Sequence, residues 1–144
     1  MISERSFNGR RFVLAIVTVY AFVYLYEWGL HGWLLADQYR QSQDLWRSPE
    51  TMQAYILWLL AGYFIFTLFF AVIYLRFRRS GRMSEGAYYG LLVGLLFCAT
   101  NIIFYAVQPL PLSLIIYWCA GVLIEGLFAG ILMAAVYKDR ELFA

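Results

Sequence analysis

Charged residues, histidine and cysteine are all scarce in this sequence. Only 14% of its 144 residues are charged while 63% are hydrophobic, a composition that excludes an ordinary soluble domain. The single histidine excludes a haem held by two histidines of one chain. Neither Cys98 nor Cys119 belongs to a Cys-x-x-Cys motif, and both stand in apolar runs. We interpret them as small buried residues rather than redox centres or metal ligands.

Sequence motifs for catalysis and nucleotide binding are also missing. The chain has no nucleophile–base arrangement, phosphate-binding loop or dinucleotide fingerprint. Its net charge is only +2, and its basic residues stand beside apolar segments, a placement that membrane topology explains without nucleic acid. We predict that the protein is not an enzyme, binds no nucleic acid and carries no cofactor.

Four long apolar segments make up most of the chain. Each has about 20 mostly apolar residues, the length that an α-helix needs to cross the hydrocarbon core of a bilayer. The predicted spans are 12–35, 52–75, 87–107 and 112–137. They predict an all-α fold, in which residues 1–144 form a single transmembrane domain, a four-helix bundle of two helical hairpins.

Arginine and lysine residues cluster on one side of the predicted spans. They precede the first span, join the second to the third and follow the fourth: Arg5, Arg10, Arg11, Arg76, Arg78, Arg79, Arg82, Lys138 and Arg140. Loops rich in these residues face the cytoplasm. We therefore predict that both termini are cytoplasmic.

The connections contain residues typical of helix starts and turns. Ser-Pro-Glu at 48–50 and Ser-Glu at 84–85 predict the N-termini of the second and third spans. Gln-Pro-Leu-Pro at 108–111 predicts a tight turn between the third and fourth. In the first outer connection, Tyr39 and Trp46 predict an interfacial loop at headgroup level, with a lid over a substrate site as the alternative.

A polar stripe interrupts the first span. On an α-helix, Tyr20, Tyr24, Glu27 and His31 lie within about 60° of one another. A charged group inside a span costs at least ~2.5–3.5 kcal/mol on insertion scales, so Glu27 requires a partner, a cavity or a function. Glu125 is the only other acidic residue in hydrophobic surroundings.

Polar side chains of three spans reach a similar depth. At ~1.5 Å per residue from the cytoplasmic end of each span, Glu27 and Asn101 lie about 20–22 Å deep and Glu125 about 18 Å deep. His31 lies one turn further out, level with Tyr105. We predict that Glu27, Asn101 and Glu125 face a common interior space, with His31 and Tyr105 above them toward the outside. We expect an ion or ligand to bind to these five residues. Two carboxyl groups in such a space do not both stay ionised at low cost, so one is protonated or a cation bridges them.

Small residues recur at every fourth position of the last two spans: Gly86, Gly90, Gly94 and Cys98 in the third, and Gly126, Gly130 and Ala134 in the fourth. Such stripes allow helix backbones to approach closely, which favours association in lipid. We predict that they pack within one chain, with dimerisation as the alternative.

Several short segments carry a resemblance to other proteins. They are Glu-Trp-Gly-Leu-His-Gly at 27–32, Tyr39 with Leu45-Trp46, Gly86 with the run from Gly90 to Gly94, Pro109-x-Pro111, and Glu125-Gly126. Through them, nearly the whole chain resembles a group of short four-span membrane proteins of bacteria that have no assigned activity. The resemblance implies a multi-pass protein of the bacterial inner membrane and implies nothing about its chemistry.

The polar cluster supports three hypotheses about function. In the one that the sequence favours, Glu27, His31, Asn101 and Glu125 fix the helix register of an accessory or structural membrane protein, although intramembrane hydrogen bonds average only ~0.6 kcal/mol. The second is a small proton- or cation-linked carrier or channel that uses Glu27 and Glu125. The third is binding of a metal or lipid-like ligand, and a single histidine leaves the metal unknown. Expected partners are the lipid bilayer and a second copy or another membrane protein.

Overall fold

The computed structural model describes residues 7–138. This part of the chain is helical, and four of its helices are long and apolar enough to cross a membrane. The predicted all-α fold with four spans is confirmed at this level. Arg5 and Arg140, which enter the charge argument for orientation, lie outside the described residues.

The four spans are separated by one long connection and two short ones. The first span, Gly9–Leu34, consists of α1 (Gly9–Gly29) and a π-helical turn (Leu30–Leu34). The long connection holds α2 (Ala36–Gln41), a 3₁₀ turn (Gln43–Leu45) and α3 (Pro49–Gln53). The other spans are α4 (Ile56–Phe77), α5 (Met83–Val107) and α6 (Leu112–Val136). A turn at residues 54–55 separates α3 from α4, so the second span starts four residues after its predicted start.

Neither predicted span start lies where the sequence placed it. The hydroxyl of Ser48 does cap a helix, but that helix is the short α3 and not the second span, which begins at Ile56. The start predicted at Ser84 is wrong, because Ser84 is already the second residue of α5. Instead, the carboxylate of Glu85 accepts hydrogen bonds from the backbone N–H groups of Ser80 and Gly81, each at 2.7 Å. These bonds close the turn between α4 and α5.

α5 and α6 pack against each other along their small-residue stripes. A Cβ atom added to Gly90 would lie 1.8 Å from the carbonyl oxygen of Gly126, so the two backbones are in direct contact. Further out, the thiol of Cys98 donates to the carbonyl of Cys119 at 3.3 Å, and that of Cys119 to the carbonyl of Cys98 at 3.8 Å. In this single chain the two stripes lie against each other, as the packing prediction expects.

α1 packs on both α4 and α6. It completes the core at the end of the bundle that holds Arg11, Arg78 and Lys138, which we call the basic end. The buried core residues there are Ala15, Val19, Val23, Phe70, Ala71, Tyr74, Ala129, Met133, Ala134 and Tyr137. The backbones of α4 and α5 stay further apart, and aromatic rings bridge them. Ring centroids are 4.7 Å apart for Phe70 and Tyr89, and 5.3 Å apart for Phe66 and Phe97.

Three helix ends meet at the basic end of the bundle. The guanidinium of Arg11 donates to the carbonyl of Lys138 at 2.5 Å, and that of Arg78 donates to the carbonyl of Tyr137 at 3.4 Å. The backbone N–H of Asn8 donates to the Tyr137 hydroxyl at 3.1 Å. The start of α1 and the ends of α4 and α6 therefore lie at one end, and the long connection lies at the other, which we call the outer end.

Candidate functional site

A cavity of about 330 Å³ lies between the four spans in the outer half of the bundle. All four spans contribute to its wall: Val23, Glu27, Trp58, Leu59, Gly62, Tyr63, Phe66, Val93, Gly94, Phe97, Val122, Glu125 and Gly126. Most of these side chains are aliphatic or aromatic. The wall nevertheless includes Glu27 and Glu125, the two acidic residues that the sequence places deep in the spans.

Glu125 is the most unusual group in this wall. It belongs to α6, beside Gly126 in the small-residue stripe that packs on α5, and the residue is only 8% exposed. Among residues 7–138, no hydrogen-bond donor and no lysine or arginine pairs with its carboxyl group. Burial of an unpaired carboxyl group is costly, so its place beside a cavity needs an explanation in function.

Glu27 faces the same cavity and has two polar neighbours. Its Oε2 atom accepts a hydrogen bond from the hydroxyl of Tyr63 on α4 at 3.4 Å. The same atom lies 3.3 Å from Nε2 of His31, one turn further along the helix. Glu27 and Glu125 both line the cavity, so the two carboxyl groups share one space between the spans.

His31 lies in the π-helical turn that ends the first span. The N–H of Leu35 donates to the carbonyl of Leu30 at 2.9 Å, a bond that spans five residues. π-helical turns are rare and occur often at functional sites, because the extra residue shifts the side chains that follow to a new face. Here the turn follows Glu27 and places His31 beneath the long connection, next to the ring of Tyr39.

A hydrogen-bonded chain runs from Glu27 to the outer end of the bundle. The indole N–H of Trp118 on α6 donates to the Tyr39 hydroxyl at 2.9 Å, and Nδ1 of His31 lies 2.5 Å from the same oxygen. Burial raises the pKa of the Tyr39 hydroxyl to about 12, so this group stays protonated and neutral. With the Tyr39 proton on the bond to Nδ1, the Nε2–H of a neutral His31 points at Glu27. We call Glu27, His31, Tyr39 and Trp118 the outer chain.

The long connection folds over this chain. The rings of Trp46 and Trp118 pack with centroids 6.0 Å apart, and those of Trp46 and Tyr39 with centroids 5.2 Å apart. The Ser113 hydroxyl at the start of α6 donates to the side-chain oxygen of Gln38 at 3.0 Å. The predicted interfacial loop is thus attached to the outer end of α6 and covers one side of His31.

The structure does not bring Asn101 and Tyr105 to the carboxyl pair. Neither residue lines the cavity, Tyr105 is 41% exposed, and within residues 7–138 neither side chain makes a hydrogen bond. Both lie on α5 beyond Phe97, the last residue of that helix in the cavity wall. α5 packs chiefly on α6, so equal depth in the membrane does not by itself produce a shared space. Of the predicted residues, Glu27 and Glu125 line the cavity, and His31 lies outside its wall but next to Glu27.

Several residues of the site were not predicted from the sequence, and two of them, Tyr63 and Trp118, hydrogen-bond its polar groups. Tyr63 stands in the middle of an apolar span, and its hydroxyl group is the one sequence feature that points to it. Trp118 has no such feature, because tryptophan near the end of a span is common in membrane proteins. Its partner Tyr39 is 79 residues away in the chain.

The site offers little to a metal ion. Within the described residues, no group of three or more His, Cys, Asp and Glu side chains is arranged to hold one. Glu27 and His31 lie in contact with each other, but Glu125 does not join them to form a set of three ligands. The metal hypothesis gains no support from this geometry.

Comparison with protein families, with curated proteins and with solved structures finds no match to this chain. The functional inference therefore depends on the chemistry of the site itself.

Proposed function

We propose that this chain is a small multi-pass transport protein that holds an exchangeable proton or cation at Glu125, with Glu27 as the second carboxyl group. The observation that supports this most strongly is the position of Glu125. It is a buried carboxyl group without a hydrogen-bond partner among residues 7–138, in the wall of a cavity between four spans. Intramembrane acids in such positions mark ion and proton pathways.

A purely structural role for the cluster has less support. Polar groups that fix helix register do so through hydrogen bonds to neighbouring helices. Tyr63 on α4 provides such a bond to Glu27, whereas within the described chain no residue provides one to Glu125. Asn101, which the structural hypothesis needs as a partner, lies away from both carboxyl groups.

The outer chain is the route that we propose for protons. Histidine suits a relay between water and a carboxylate, because each of its two ring nitrogens is able to bind or release a proton. Its side chain is 35% exposed, while its Nε2 atom faces Glu27. Protons would pass from the outer surface through His31 to Glu27 and then to Glu125.

We propose further that the protein resides in a bacterial inner membrane with both termini in the cytoplasm. Arg11, Arg78 and Lys138 at one end of the bundle support this orientation. A reporter that is active only in the cytoplasm should work when inserted at either terminus or near Arg79, and should be silent near Gln43. Activity near Gln43 would reverse the orientation.

Infrared spectroscopy tests the exchange of the Glu125 proton. In lipid nanodiscs, we expect a C=O band of a protonated carboxylic acid that shifts in D₂O within minutes and is lost in Glu125→Gln. In the proposed route, protons reach the group through His31 and Glu27, so the exchange should be rapid. Glu50→Gln, which removes an exposed carboxyl group of α3, is the matched control and should retain the band. A band that resists D₂O, or that persists in Glu125→Gln, would contradict the proposed function.

A further inference from the structure

We infer that the cavity binds a hydrophobic organic ammonium ion, which enters from the lipid between α4 and α5. This inference rests on the proposed function, because it names the class of cation that the carboxyl pair exchanges for protons.

The size of the cavity points to an organic ligand. Its volume of about 330 Å³ is far larger than a proton or a bare inorganic ion needs. A water molecule accounts for about 30 Å³ of liquid, and cavities for small organic molecules begin near 300 Å³. The site therefore suits one compact organic molecule.

The wall selects for an apolar body with a positive charge. Trp58, Tyr63, Phe66 and Phe97 present aromatic rings to the cavity, and ring faces attract organic cations. Apart from the two carboxyl groups, the wall offers few polar groups, so a strongly hydrated sugar or amino acid would leave its hydrogen bonds unsatisfied. An ammonium group surrounded by hydrocarbon matches both features.

The negative side of the site is Glu125. Glu27 is already engaged by Tyr63 and His31, whereas among the described residues Glu125 has no hydrogen-bond partner. A quaternary ammonium group needs no hydrogen bond, and its charge is balanced by a nearby carboxylate. Glu125 is thus the group that distinguishes a cation from an uncharged molecule of the same shape.

The opening of the cavity faces the lipid. The most exposed side chains of its wall belong to α4 and α5, with Trp58 76% exposed and Phe97 43% exposed. Those from α1 and α6 are less exposed, and Val23 and Glu125 among them are buried. The backbones of α4 and α5 stay apart, and the ring contacts Phe66–Phe97 and Phe70–Tyr89 close the gap from the level of Phe66 toward the basic end. We place the entrance on the outer side of these contacts, beside Trp58. A ligand that arrives through this gap must partition into the bilayer first.

A pair of probes that differ only in charge tests the inference. Benzyltriethylammonium and its uncharged analogue, in which carbon replaces the nitrogen, are titrated calorimetrically into nanodiscs with and without the protein. We expect saturable binding of the cation, with binding of the uncharged analogue weaker by about tenfold or more. Glu125→Gln and Phe97→Ala should each weaken the binding of the cation by about tenfold, and Glu50→Gln should not change it.

The outcomes separate this inference from the proposed function. Equal affinity for both probes, or unchanged affinity in a folded Glu125→Gln variant, would overturn the inference. If Phe97→Ala alone has no effect, the aromatic wall is not the recognition surface, and the inference fails. If the infrared band of Glu125 exchanges in D₂O while the cation does not bind, the proposed function stands without this ligand class. If the band does not exchange, the proposed function itself fails.

Discussion

Replacement of Gly90 by alanine is expected to destabilise the bundle by about 3 kcal/mol or more, and replacement by leucine is expected to prevent folding. The added Cβ would lie 1.8 Å from the carbonyl oxygen and 2.6 Å from the carbonyl carbon of Gly126. Both are backbone atoms, so no side chain is able to move aside and α5 must separate from α6. Unfolding by sodium dodecyl sulfate, followed by circular dichroism of the purified protein in mild detergent, measures the effect.

Gly62→Ala is the matched control for this prediction. Gly62 also lies inside a span, and a Cβ atom there would meet nothing within 4 Å. Alanine favours a helix over glycine by about 0.8–1.0 kcal/mol in peptides, so we expect no loss of stability. If Gly90→Ala left the folded monomer unchanged and only abolished a dimer, α5 and α6 would pack between chains rather than within one.

The fold was largely predictable from the sequence because each span has a local cause. Apolar length fixes the spans, and spacing of Gly86, Gly90 and Gly94 fixes the face of α5 that packs on α6. The long outer connection was less predictable. Its structure depends on contacts between Tyr39 and Trp118, which are distant in sequence and which no periodic pattern connects.

The candidate site was predictable in part. The cost of intramembrane charge identified Glu27 and Glu125, and helix periodicity placed His31 beside Glu27. Asn101 satisfied the same depth argument, yet it lies away from the site. Depth depends on position along one helix, whereas a shared cavity depends on how four helices are arranged around it, and the aromatic rings between α4 and α5 decide that arrangement.

The two carboxyl groups should contribute unequally to transport. Within the described residues no side chain hydrogen-bonds to the carboxyl group of Glu125, whereas Tyr63 and His31 both contact the carboxyl group of Glu27. Glu125→Gln preserves the shape of the neutral acid, so the variant should fold normally. It removes the group that we propose to exchange the proton.

Proton flux in proteoliposomes measures this difference. With a pH-sensitive dye inside and the membrane potential held at zero, a pH step should relax faster in wild-type vesicles than in protein-free ones. We expect Glu125→Gln to lower the protein-dependent rate by about a hundredfold, to the level of empty vesicles, and Glu27→Gln to lower it by about tenfold. Glu50→Gln should match the wild type, because that carboxyl group is exposed outside the spans. Full flux in a Glu125→Gln variant would show that protons cross the bundle without this carboxyl group, and the proposed pathway through Glu27 and Glu125 would then be wrong.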